Sequence, residues 1–245
     1  MLIDARNVTK AFGAFKAVDD ASVAVEEGDI LGLIGPNGAG KSTFFNCLTG
    51  DLPVTSGTVA FAGNDVTRRP PEDRARLGLA RTFQVPLTFE SMSVLDNATI
   101  GALLRHPNAR DARARARDVL QRVGLGHVID TPARSLGTPG RKRLEIARAL
   151  ASEPKVLLLD EAMAGLTPTE IQDAIALVRR IHDDDGITIV IVEHIMEVIV
   201  SLAQRVVVFH QGREIARGTP REVTSNSAVI EAYLGRRKVR HAEGP

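Results

Sequence analysis

The sequence predicts an α/β fold with a mostly parallel sheet, and two observations carry that expectation. Strand-length apolar runs at Ile30–Ile34, 155–159, 187–192 and 206–209 read as strands, several of them buried on both faces. Between them lie stretches whose apolar residues recur at helical spacing, such as 169–181, which ends near Gly186. Strands alternating with helices imply parallel strands joined by helical crossovers.

Taken in order, residues 2–8 and 21–25 read as short strands, with Gly13 and the Glu27, Gly28, Asp29 run as turn signals. After the strand at Ile30–Ile34 comes a glycine-rich loop, a helical segment over 42–48 and a further strand at 57–61. From about 93 to 150 the β-branched runs disappear and helical spacing takes over. Leu95, Ala98, Ala102 and Leu103 fit one helix face, and Val119, Leu120 and Val123 another, which predicts an inserted helical subdomain. The arginine-alanine alternation at 110–118 reads as a solvated helix, with Arg113 and Arg117 one turn apart beside alanines.

A chain of 245 residues is long enough to bury a core without disulfides. Its apolar fraction of 44% and charged fraction of 25% are those of an ordinary globular protein. A net charge of +1 gives no footprint for a nucleic-acid partner, and none is expected. No apolar stretch reaches the roughly 18 residues of a membrane-spanning helix. Residues 1–6 lack the basic start and apolar block of a signal peptide. Cys47, in an apolar helical stretch, reads as a buried thiol, and a lone cysteine fits a reducing cytoplasm. The six histidines show no paired metal-ligand spacing. Residues 236–240 form a basic tail, read as a disordered end, with weak attraction to an anionic membrane surface as the alternative.

The chemistry is concentrated in three places. Gly35, Pro36, Asn37, Gly38, Ala39, Gly40, Lys41, Ser42 and Thr43 satisfy the phosphate-loop pattern between a buried strand and a helix. Glycines let backbone N–H groups wrap a phosphate, and the helix N-terminus adds a favourable dipole. Lys41 is placed to reach β- and γ-phosphates, and the Ser42 hydroxyl to coordinate Mg²⁺. A chance glycine turn is a poor alternative, because every required residue falls in register. The second place is 155–161, where Asp160 and Glu161 end a buried strand, on the rim where open α/β sheets bind ligands. Asp160 suits Mg²⁺, directly or through water, and Glu161 suits polarising an attacking water. The third is 187–194, a buried strand ending in Glu193 and His194, with His194 expected near the γ-phosphate.

In this order, with Phe83-Gln84 and the run Arg148, Ala149, Leu150 between them, these motifs resemble the ABC ATPase family over nearly the whole chain. The resemblance implies a P-loop NTPase fold with a RecA-like core, an antiparallel β subdomain and an inserted helical subdomain. It places the core at about 1–85 and 154–235, the helical subdomain at about 86–153 and the basic tail at 236–245. It implies ATP and Mg²⁺ as cofactors, Asn37, Gly38, Gly40 and Thr43 as nucleotide contacts, and Gln84 as a third Mg²⁺ neighbour linking site and subdomain. It also implies that Phe12 stacks on adenine. By itself Phe12 fits the core equally well, and Gln84 an ordinary loop amide.

Residues 78–84, 143–150, 218–223 and 232–235 are similar to ATPase subunits of branched-chain amino-acid importers, a subfamily that also handles urea and short amides. That implies transmembrane permeases, a second and different ATPase subunit, an indirectly coupled solute-binding protein, and a place on the cytoplasmic face of the membrane. The alternatives are the ATPase of a lipopolysaccharide-type exporter and a soluble, non-transport ABC ATPase. The chain departs from the family at the signature segment, where Leu136, Gly137, Thr138, Pro139 and Gly140 stand for Leu-Ser-Gly-Gly-Gln. It also carries Ala162 for Pro, Thr167 for Asp or Asn, and Ile195 for Asp.

Overall fold

In the computed structural model, which describes residues 1–234, the chain packs into two units. Among the described residues, one is Met1–Leu77 with 190–234; the other is Gly78–Ile189.

The first unit opens with an antiparallel sheet. Strand β1 (Ile3–Phe12) lies between β2 (Phe15–Val25) and β4 (Ser56–Phe61), with β5 (Asn64–Asp65) outside β4. Ile3 and Ala5 of β1 are buried at the period-2 spacing of a sheet with one covered face, and a register shift between Ala5 and Val8 brings Val8 to the buried side three residues on. Strand β3 (Ile30–Ile34) is buried at every position and runs parallel to β9 (Arg205–His210), which pairs antiparallel with β10 (Arg213–Gly218). Helix α1 (Lys41–Thr49) buries Phe44, Phe45, Cys47 and Leu48, and the Phe44 ring meets Phe209 at 5.2 Å between centroids. Arg74 in α2 (Pro71–Leu77) is buried, and its guanidinium donates to the Cys47 and Leu48 carbonyls at the end of α1. A cation there complements the helix dipole. Burial depresses its pKa, but those carbonyls satisfy it. Helices α7 (Met196–Leu202), α8 (Pro220–Ser225) and α9 (Ser227–Leu234) complete this unit.

In the second unit β6 (Leu79–Arg81) runs parallel to β7 (Val156–Asp160), and the 93–150 stretch resolves into α3 (Val94–Ala102), α4 (Ala109–Arg122) and α5 (Thr138–Ala151). Helix α6 (Pro168–Asp185) follows, and β8 (Thr188–Val192), buried throughout, returns the chain to the first unit. Ala112 and Ala116 turn inward from α4 while Arg113 and Arg117 stay exposed, as expected of a solvated helix. Helices α3 and α5 approach so closely that a Cβ on Gly101 would stand 2.0 Å from the Arg148 carbonyl oxygen.

The strand expected at 2–8 extends to Phe12, and the one at 21–25 begins at Phe15, because hairpin pairing carries both past their apolar stretches. Leu103 does not join Leu95, Ala98 and Ala102 in the core; it lies just past α3 and is exposed. The basic 236–240 segment lies outside the described residues. Among the described residues, no helix is long and apolar enough to cross a membrane.

Candidate functional site

The phosphate loop leaves β3 through backbone that only glycine fits. A Cβ on Gly35 would stand 2.2 Å from the Phe209 carbonyl oxygen, and one on Gly40, at φ 98°, 2.3 Å from that of Ala17. The loop is buttressed from the β9–β10 turn, where the Gly212 N–H donates to the Ala39 carbonyl at 2.9 Å. Burial raises the pKa of the Tyr233 phenol in α9, opposed by the Gly35 N–H. Helix α1 begins at Lys41 with no side-chain cap and no acidic residue in its first turn, an end suited to an anion. Lys41 is buried, and its ammonium donates to the Gly35 and Pro36 carbonyls at 2.7 and 3.1 Å. The cation thus holds the loop closed from within. Asn37, Gly38 and Ser42 are exposed, and Gly40 and Thr43 partly so.

Two more of the expected residues lie in this unit. Phe12 ends β1 opposite Phe15 across the Gly13 turn, and its ring is half exposed with the Lys10 ammonium 5.0 Å from its centre. The core alternative for Phe12 is therefore set aside. Phe15 at the same hairpin tip is also exposed, and nothing in the sequence pattern singled it out. His194 is exposed in the segment between β8 and α7.

The second unit brings Gln84, Asp160 and Glu161 together. Strand β7 is buried at all five positions and ends at Asp160. The Asp160 carboxylate meets the Arg81 guanidinium at 3.2 Å, and its N–H donates to the Thr82 hydroxyl at 3.3 Å. Arg81 was not anticipated; the signal for it is the three-residue β6 alongside β7, too short to show a period. Glu161 has left-handed backbone, φ 46°, which is strained for a residue with a Cβ. Its carbonyl accepts from the Ala164 N–H and the Lys142 ammonium, both at 3.1 Å, and its carboxylate accepts from Gln84 Nε2 at 2.6 Å. Gln84 is thus an exposed loop amide that donates to a carboxylate.

The departures from the family pattern have structural readings. Gly137 is the N-cap of α5 with no side-chain cap bond, and Pro139 lies in the first turn. Thr167 caps α6 in a capping box with Glu170, so threonine there serves the helix end. Ile195 is the N-cap of α7 and makes no side-chain cap bond, a bond an Asp could supply. Among the described residues no cluster of His, Cys, Asp and Glu suited to a metal occurs.

Two family models match the sequence: ABC transporter over residues 18–164, and branched-chain amino acid ATP-binding cassette transporter over residues 213–239. The high-affinity branched-chain amino acid transport ATP-binding protein LivG of Salmonella typhimurium is 36% identical over 249 residues, covering 96% of this chain and 98% of that protein. Its counterpart BraF of Pseudomonas aeruginosa is 35% identical over 250 residues, with the same coverage of 96% and 98%. The lipopolysaccharide export system ATP-binding protein LptB of Escherichia coli is 34% identical over 234 residues, covering 95% and 97%. Among solved structures, a nucleotide-free ATP-binding cassette from an ABC transporter aligns with a TM-score of 0.87 at 32% identity, covering 96% of this chain and 99% of that one. An ATP-binding cassette of an ABC transporter in its ADP conformation aligns with a TM-score of 0.86 at 33% identity, covering 96% and 98%.

Proposed function

Because the chain belongs to the ABC transporter family and is the nucleotide-binding ATPase subunit of an importer, we propose that its cargo is a branched-chain amino acid or a related small polar solute such as urea or a short amide. The match at residues 213–239 supports this cargo class, since it falls outside the ATPase motifs shared by other transporters. The exporter reading has one observation in its favour, the 34% identity to LptB. The test is to reconstitute the chain with its co-encoded permeases and solute-binding protein. Leucine, valine or urea, loaded on the binding protein, should stimulate ATP hydrolysis severalfold. Stimulation by lipopolysaccharide alone would transfer the chain to the exporters.

At the nucleotide, the observation that carries the reading is the Gln84 Nε2 to Glu161 Oε2 contact of 2.6 Å beside Asp160. In this reading Glu161 polarises the attacking water and Gln84 orients that carboxylate. Lys41 exchanges its loop carbonyls for the β- and γ-phosphates. Asn37, Gly38, Gly40 and Thr43 contact the nucleotide, Phe12 stacks on adenine, and His194 contacts the γ-phosphate. Ser42, Asp160 and Gln84 offer a hydroxyl, a carboxylate and an amide oxygen, the hard oxygen donors that suit Mg²⁺. Bound there, Mg²⁺ supplies charge neutralisation to the phosphates.

The ATPase works on the cytoplasmic face of the membrane, beside permease subunits and a second, different ATPase subunit, with the solute-binding protein acting through the permeases. Val85, Leu87 and Phe89, all exposed in one segment of the second unit, offer apolar surface for a permease to cover.

A further inference from the structure

Of the five charged residues of helix α5, Lys142, Glu145 and Arg148 stand at i, i+3 and i+6. Such spacing puts all three along one stripe. Lys142 is only 6% exposed and Glu145 only 2%. Burying a lysine and a glutamate is costly unless each is engaged, so what they hold is informative.

Lys142 donates its ammonium to the main-chain carbonyl of Glu161 at 3.1 Å. That carbonyl belongs to a residue with φ 46°, a conformation that persists only where the surroundings enforce it. The Ala164 N–H holds the same carbonyl from within the turn, and Lys142 holds it from α5. Glu145 accepts the Leu87 N–H at 3.2 Å, three residues past Gln84. Arg148 donates to the Leu87 carbonyl and stands over the Phe89 ring at 5.7 Å. Burial raises the Glu145 pKa, opposed by the Leu87 and Phe83 N–H bonds and then by the charges of Arg148 and Lys142. One stripe of α5 therefore grips the two chain segments that carry the Gln84–Glu161 contact.

We infer that Lys142 is a positioning residue for hydrolysis, fixing the Glu161 backbone from α5 while Glu145 fixes the Gln84 segment from the same stripe. The inference rests on the reading of Glu161 as the group that polarises water. It gives α5 a second role. The helix begins at the signature-aligned segment, so a shift of its first turn reaches the hydrolytic carboxylate of the same chain through one side chain.

Lys142→Met keeps length and apolar bulk but removes the donor, and Lys142→Arg keeps a cation and donors. Both belong in the full chain assembled with its permeases and ATPase partner. Misplacing a catalytic group by about 1 Å costs up to roughly 10²-fold, so Lys142→Met should lower kcat about ten- to hundredfold. KM for ATP and nucleotide affinity should stay within about twofold, and Lys142→Arg should recover most of the loss. A folded Lys142→Met variant with wild-type kcat overturns the inference. So does a parallel loss of kcat and nucleotide affinity, which marks a merely structural role. If the Met variant does not fold, Lys142→Arg and Lys142→Gln are read against each other: a kcat loss confined to Gln supports the inference, and equal kcat in the two overturns it. Glu161→Gln runs alongside. Normal turnover in that variant removes the reading of Glu161 itself, whereas a dead Glu161→Gln beside a fully active Lys142→Met removes only the role of Lys142.

Discussion

The N-termini of α1 and α5 are both left without a side-chain cap, and neither first turn carries an acidic residue. At α6 and α8, by contrast, Thr167 and Thr219 close complete capping boxes with Glu170 and Glu222. A capped end uses its N–H donors within the chain; an uncapped one leaves them for a ligand or for water. The two uncapped ends then differ from each other. Gly38, Gly40 and Lys41 give α1 the backbone freedom and the cation a polyphosphate needs. At α5, Pro139 has no N–H to offer and Gly137 no hydroxyl. In the proposed pair of ATPase subunits, the signature-aligned segment at the start of α5 faces the nucleotide held by the opposite subunit. On that proposal this chain is expected to hold its own ATP and to offer fewer donors to its partner's, which is the physical argument for proposing a different ATPase as that partner.

The largest expected effect tests this asymmetry. In the mixed ATPase pair, Glu161→Gln in this chain should remove most turnover, about 10²- to 10⁴-fold, while ATP still binds. The matching substitution in the partner should matter less. Equal losses from the two, measured as steady-state ATPase rates, would break the comparison.

Next comes Lys41→Ala, read by titration calorimetry. Hydrogen bonds to charged groups are worth about 1.5–3 kcal/mol, so Mg-ATP affinity should fall roughly ten- to hundredfold. Part of that loss is the release of the Gly35 and Pro36 carbonyls, which Lys41 now ties. Unchanged affinity would mean the α1 end is not the phosphate site.

Restoring donors at α5 sharpens the contrast from the other side. Gly137→Ser combined with Pro139→Gly should raise ATPase activity of the chain alone by roughly tenfold for each hydrogen bond regained. An unaltered rate would show that the α5 end does not limit it.

The smallest effect concerns a capped end. The Glu170 carboxylate accepts the Thr167 N–H, and that bond, with the Thr167 hydroxyl, holds its pKa below the ordinary value. A depressed folded-state pKa contributes stability above the unfolded value of about 4.5, and that contribution is lost as pH falls through the lower folded value. Glu170→Gln should therefore lower Tm slightly at pH 7, and the difference should shrink below pH 4.5. ATP affinity should not change. A drop in affinity would place α6 among the ligand-facing ends.

The nucleotide motifs were legible because each is local: a buried strand, a fixed run of residues and a helix start all fall within a few positions. Strand β3 and helix α1 were accordingly found nearly to the residue. The pieces without a local signature escaped. Strands β5 and β6 span two and three residues, and α7, α8 and α9 are too short to show a period. Arg81 and Lys142 sat inside segments already read for other reasons, and no spacing distinguishes an arginine that meets Asp160 from one that meets water.

By itself the sequence determined the fold class, the phosphate loop and the family, since periodicity and short motifs report the backbone that neighbouring residues must adopt. The tertiary structure alone decided what the buried charges do. Arg74 ties the end of α1, Arg81 meets Asp160, and Lys142 reaches the Glu161 carbonyl, each across a separation of 19 to 79 residues. A buried cation must find its acceptor wherever packing brings one, and packing depends on contacts that no local stretch of sequence contains.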